Sequence, residues 1–194
     1  MTNVDSLVIP ARRSFLATSG TMLSAAAVLM IAGHESRAQN MGAANASDVG
    51  ILNVALALEN EAINAYQLGA QSGLLQKPVL DVAVKFQGDH KGHRDALIAT
   101  IQKMGGTPVK EKSLDEYAKA LKADTLKSQN DVLALAAMLE LGATNAYLGV
   151  IPSFKDPQLA KIAGRLAADE TMHWTVLNNA LARALPADAL PFGA

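Results

Sequence analysis

Two parts of the chain repeat one another, and this repeat limits the folds that the sequence can adopt. Residues 58–66 and 139–147 share Leu-Glu-x-x-Ala followed, one residue later, by Asn-Ala-Tyr, at an offset of 81 residues. Residues 89–93 and 169–173 share an Asp at the start and a His at the end, at an offset of 80. Two matches at nearly one offset indicate that a pair of elements occurs twice.

Four long segments carry apolar residues at helical spacing. They predict helices over residues 48–75, from just after Pro78 to Met104, over 131–150 and over 157–185. Ser47 or Asp48 is the expected N-cap of the first helix, and Asp156 that of the fourth. No alternating β-branched run predicts a strand.

The connections between these helices differ in length. Short links join the first helix to the second and the third to the fourth, whereas residues 105–130 separate the second from the third. This middle connection contains a short helical piece near residues 114–123, and its length lets the second and third helices run in the same direction. We therefore predict an all-α four-helix bundle with a long crossover between helices two and three.

The third predicted helix contains almost no charge. Between Asp131 and Lys155 the only charged residue is Glu140. The segment is long enough to cross a bilayer, but Thr, Asn, Gly and Pro interrupt it, and its partner helices are amphipathic. We interpret it as a helix buried in the bundle core, where a carboxylate needs a positive neighbour.

The repeated helices would gather carboxylates and imidazoles in one core. Residues three apart share a helix face, which pairs His90 with His93 and Glu170 with His173. One Glu from each of two helices, with Glu-x-x-His on the others, is the arrangement of di-iron carboxylate proteins. The candidate ligands are Glu59, His90, His93, Glu140, Glu170 and His173. They include every His after residue 38, and the chain has no Cys, which excludes disulfides and thiolate sites.

Residues 48–185 resemble the ferritin-like superfamily, and most closely its exported members of the rubrerythrin and desiccation-related type. The string Glu-x-x-Ala-x-x-x-Tyr carries the resemblance and implies that Tyr66 and Tyr147 support the ligand carboxylates. It also implies two metal ions, with iron preferred and manganese or zinc as alternatives.

His90 departs from this family pattern, because it stands where a carboxylate that bridges both metals is expected. The alternatives are an asymmetric pair, a single metal, or a pair bridged by Glu170 and solvent. Asp89 could also swing into the site, because Asp89 and His93 lie four residues apart on one helix. Asp169 is interpreted as a solvated neighbour rather than a ligand.

The first 38 residues have the pattern of an export signal. Arg12-Arg13 and Phe15-Leu16 resemble a twin-arginine motif, an apolar run follows, and Ser36-Arg37-Ala38 is typical of a cleavage site. We therefore expect a signal peptide over residues 1–38, a linker over 39–47, the bundle over 48–185 and a tail over 186–194. The mature protein is expected in the periplasm or otherwise exported from a bacterium.

The expected function is a protective redox or ferroxidase-type role toward oxygen or peroxide. A non-enzymatic stress or structural module and a metal-sequestering protein are the alternatives. Metal ions, a small oxidant and the twin-arginine export machinery are the expected partners, and a homodimer stays open. Nucleic acid is not expected, because the net charge is only −1.

Overall fold

The computed structural model describes residues 43–193, which form an all-α fold with no strand among them. The predicted signal peptide and residues 39–42 of the predicted linker lie outside the described residues, whereas residues 43–47 of that linker are helical. The helices are α1 (Ala43–Gln71), α2 (Lys77–Lys103), α3 (Leu114–Ala120), α4 (Gln129–Val150) and α5 (Pro157–Ala180). Short 3-10 turns cover Ala123–Thr125 and Ile151–Ser153. The predicted all-α class is confirmed.

The crossover places α2 and α4 in the same direction, as predicted. The backbone N–H of Gln76, just before α2, donates to Oε1 of Gln129 at the start of α4, at 2.9 Å. The end of α1 reaches the same place, where a Cβ on Gly69 would lie 2.9 Å from Cγ1 of Val132. Both helices therefore begin at one end of the bundle, and α1 and α4 approach closely there while running in opposite directions.

The fourth long helix ends five residues before the predicted Leu185. Leu181 follows the last helical residue, and Ala182 adopts a left-handed φ of 53°. The backbone N–H of Arg183 then donates to the carbonyl of Asn178 at 2.9 Å, which closes the helix end. A Gly commonly marks such an end, and Ala182 gives no such signal.

The predicted N-cap of the first helix was wrong. The helix begins at Ala43, so Asp48 lies inside it, and its side chain is 1% exposed. Its carboxylate accepts the backbone N–H of Lys155 at 3.0 Å and that of Asp156 at 3.1 Å. Asp48 therefore links α1 to the chain that leads into α5, whereas Asp156 caps α5 as predicted.

The nearly uncharged helix α4 is buried on one face only. That face carries Glu140, Thr144 and Tyr147 toward the bundle interior. Among the described residues one helical segment, Gln129–Ser153, is long and apolar enough to cross a membrane, and 28% of its most apolar stretch is buried. The prediction of a core helix therefore holds for the inward face. Part of the outer face meets the C-terminal residues, where Gly193 N–H donates to Oδ1 of Asn145 at 2.8 Å.

Two apolar clusters lie on either side of a polar layer. One contains Leu56, Ile101 and Tyr147, and the other contains Tyr66 and Phe86. In every long helix the buried carboxylate or imidazole falls between residues of the two clusters. The fold therefore positions one polar layer in the middle of the bundle.

Replacing Asp48 with Ala should destabilise the protein by about 1–3 kcal/mol, because the backbone N–H groups of Lys155 and Asp156 lose a charged acceptor. Urea unfolding followed by circular dichroism measures the change. The Ser47→Ala variant is the matched control, since Ser47 is exposed, and we expect a change within about 0.5 kcal/mol. A larger effect for Ser47 than for Asp48 would contradict the assignment.

Candidate metal centre

The six predicted ligand residues lie together in the polar layer. Helix α1 supplies Glu59, α4 supplies Glu140, and α2 and α5 each supply two residues: His90, His93, Glu170 and His173. Five of the six side chains are at most 2% exposed, and His93 is 12% exposed. The spacing of three residues therefore directs each pair inward, as the sequence predicts.

One half of the layer is formed around Glu59. Its Oε2 lies 2.8 Å from Nδ1 of His90 and 3.5 Å from Nδ1 of His93. The same nitrogen of His93 is 3.2 Å from Oε1 of Glu170. These four residues each offer one atom to a group whose members all lie within 4.8 Å of one another.

The other half is formed around Glu140 in the same way. Its Oε1 lies 3.2 Å from Nε2 of His90 and 3.5 Å from Nδ1 of His173. Glu170 completes this group, with Oε2 at 3.6 Å from Nδ1 of His173. The two halves thus overlap, and His90 and Glu170 belong to both.

His90 occupies the expected bridging position with two different nitrogens. Nδ1 faces Glu59 and Nε2 faces Glu140, so one imidazole presents a separate atom to each half. Glu170 similarly directs Oε1 toward His93 and Oε2 toward His173. Asp89 does not swing into the centre: it accepts from Lys85 at 2.5 Å and lies 3.4 Å from the outer nitrogen of His173.

The outer nitrogens of two histidines face aspartates, a feature that the sequence pattern did not predict. Nε2 of His173 is 3.4 Å from Asp89 Oδ2, and Nε2 of His93 is 3.3 Å from Asp169 Oδ2. A carboxylate on the outer N–H fixes the tautomer that leaves Nδ1 free as a ligand. The repeat aligns Asp89 with Asp169, and this alignment is the signal that could have indicated a shared role. Asp169 is thus half-exposed, as expected of a solvated residue, and also contacts a candidate ligand.

Two tyrosines support the buried carboxylates from the opposite repeat. Tyr66 of α1 donates to Oε1 of Glu140 at 2.5 Å, and Tyr147 of α4 donates to Oε1 of Glu59. Burial, and next the charge of the glutamate, raises the pKa of each phenol well above its usual value. Both hydroxyls therefore keep their protons and hold the glutamates in place.

Several buried atoms of the layer have no hydrogen-bond partner within the described chain. They are His93 Nδ1, His173 Nδ1, Glu140 Oε2, Glu170 Oε1 and Glu170 Oε2. Among them, His93 Nδ1 lies 3.2 Å from Glu170 Oε1 and His173 Nδ1 lies 3.6 Å from Glu170 Oε2, and neither contact is a hydrogen bond. Unsatisfied polar atoms are costly when buried, and a metal ion would satisfy this set. The residues present therefore fit a metal centre.

Charge within the layer can also be balanced by protons. Burial favours neutral imidazoles, but the close and negatively charged glutamates outweigh it and raise the pKa of His90 to about 11, of His93 to about 10 and of His173 to about 9. Burial also acts against ionisation of Glu59 and Glu140, yet their histidine partners lower both pKa values. For Glu170 burial prevails and raises the pKa.

Comparisons with known proteins agree with the four-helix fold described above. The ferritin-like domain family matches residues 47–183. The chain belongs to this family. A solved structure of a conserved hypothetical protein, rv2844, from Mycobacterium tuberculosis is similar at 21% identity and a TM-score of 0.59. The match covers 75% of this chain and 97% of that one, and it shows a shared fold. No curated protein matches this ferritin-like chain significantly.

Without metal, the protein should lose stability as the pH rises from 7 to 10. The three histidines have folded-state pKa values above the unfolded value of about 6.5, so their contribution is complete below that pH and is lost through about 9 to 11. Urea unfolding in the presence of a chelator measures this loss. In the Glu59→Gln/Glu140→Gln variant the loss of stability should shift to lower pH. A free energy of unfolding that stays constant or rises between pH 7 and 10 in the unsubstituted protein would contradict the charge balance.

Proposed function

We propose that this ferritin-like protein uses the layer as a two-metal carboxylate–histidine centre in a protective oxidation–reduction role. The observation that supports the proposal is the pair of overlapping four-residue groups, each containing unpartnered buried ligand atoms. Two divalent ions would bring four positive charges to three carboxylates and replace the protons on the histidines. If the layer served only as a buried ion pair, the two groups would not need to share His90 and Glu170, and no ligand atoms would need to stay without a partner.

The proposed ligands divide between two positions. Glu59 and His93 belong to one, Glu140 and His173 to the other, and Glu170 and His90 face both. Carboxylate oxygens and imidazole nitrogens suit iron, manganese and zinc, and iron or manganese bound here would supply electron transfer to oxygen or peroxide. The redox role excludes zinc, and we favour iron over manganese because the ferritin-like resemblance implies it.

The chain's own residues would prepare this centre. Tyr66 and Tyr147 hold one oxygen of Glu140 and of Glu59 and leave the second oxygen for other contacts. Asp89 and Asp169 orient the imidazoles, and the apolar clusters exclude bulk water. His93 is the most exposed of the six residues, so a small oxidant would approach past His93 and Asp169.

A second candidate is a metal-free structural module. It is favoured by His90, which lies within hydrogen-bond distance of both Glu59 and Glu140 and, as an imidazolium, can donate to both and offset one of their two negative charges. Metal sequestration without turnover would use the same ligands as the first proposal.

We further propose that residues 1–38 direct export to the periplasm through the twin-arginine route.

Elemental analysis of protein purified from the exported fraction tests the metal centre. We expect about two iron or manganese ions per chain, nearly complete loss in the Glu59→Gln/Glu140→Gln variant, and retention in Glu61→Ala. Glu61 is the matched control, because it lies two residues from Glu59 and is absent from both ligand groups.

The metal content and the turnover of the purified protein together separate the candidates. Metal-dependent consumption of peroxide or oxygen by the loaded protein, lost in the double variant, would support the redox role. Bound metal without turnover would support sequestration. A well-folded protein without metal, stable in chelator, would support the structural module and refute the first proposal.

A further inference from the structure

An apolar cavity of about 240 Å³ opens at the end of the bundle where α2 and α4 begin. Its walls include Gly69 from α1, Val79 from α2, Val132 from α4 and Leu177 from α5. Leu121 and Leu126 of the crossover close another side. The crossover thus forms part of the enclosure as well as connecting the two helix pairs.

The lining of this cavity has almost no hydrogen-bonding capacity. None of its nineteen residues is charged, and Tyr66 is the one polar side chain among them. The hydroxyl of Tyr66 is already engaged, because it donates to Glu140. A buried water needs two to four polar partners, so this lining favours an apolar occupant over water or an ion.

The two repeats differ in packing around their tyrosines. Tyr147 is surrounded by a cluster that includes Leu56 and Ile101, both fully buried. Its counterpart Tyr66 borders the cavity instead. The cavity therefore lies beside the tyrosine of the first repeat only, at one end of the bundle, and the crossover covers it.

The volume and the rim indicate a small molecule as the occupant. An apolar cavity of roughly 150 Å³ is enough to bind benzene, and this cavity is larger. Pro78, Val176 and Ala180 line it while remaining exposed, which gives a route of entry from solvent. We propose that the cavity is a binding site for one small, uncharged apolar organic molecule of about seven to ten carbon atoms.

Tyr66 forms the wall between this site and the polar layer. Its ring lines the cavity while its hydroxyl bonds Glu140, so a bound molecule would lie one aromatic ring away from the centre. The apolar walls alone supply the binding surface, and the proposal therefore stands whether or not the layer holds metal.

Isothermal titration of the full chain with toluene tests the site. We expect saturable binding of about one molecule per chain that is unchanged by chelator. Failure of the unvaried chain to bind toluene, or loss of binding in chelator, would overturn the proposal. Because metal content is measured separately, this failure is distinguishable from failure of the proposed metal function.

The repeat offers a matched pair of filling variants. Ala65 lines the cavity, whereas its counterpart Ala146 is also partly buried and does not. Toluene affinity should fall about tenfold or more in Ala65→Phe and stay within about twofold in Ala146→Phe. Ala180→Phe, at the exposed rim, is expected to weaken binding similarly if Ala65→Phe does not fold. Equal binding by a folded cavity variant and the Ala146 control would refute the site.

Discussion

The burial of three carboxylates in one layer is the constraint on which the rest of the structure depends. Glu59, Glu140 and Glu170 are each at most 2% exposed, and a buried carboxylate without a partner would cost several kcal/mol. Three imidazoles in the same layer can offset this charge with protons, and metal ions can offset it more fully. Tyr147 takes the oxygen of Glu59 that the imidazoles leave free, whereas Tyr66 donates to the oxygen of Glu140 that His90 also faces.

Most of the support for each half of the centre comes from the other half of the chain. Tyr66 holds Glu140, and Tyr147 holds Glu59. Asp89 faces His173 in the same crossed manner in which Asp169 faces His93. The crossover matters here, because it places the second helix pair antiparallel to the first and so brings each tyrosine level with the opposite glutamate.

Much of this arrangement could be predicted from spacing, because a helix converts an interval of three residues into a shared face. That rule places His90 with His93 and Glu170 with His173, and the repeat brings the two sets together. Spacing says nothing about contacts between distant segments, so Asp48 has the pattern of a cap of its own helix. The left-handed turn at Ala182 depends on local backbone bonds that the sequence does not mark. The cavity depends on how well side chains fill a space, which no periodicity describes.

The crossed contacts have a consequence for how such a chain could arise. A peptide with only one helix pair would carry a glutamate, a tyrosine, an aspartate and a histidine of the set, and it could complete the layer only as a symmetric homodimer. In that dimer the two central positions would have to be the same residue. In the fused chain they are His90 and Glu170, which the repeat aligns with each other. Fusion therefore permits one imidazole and one carboxylate to share the middle of the layer, a mixed pair that identical subunits could not provide.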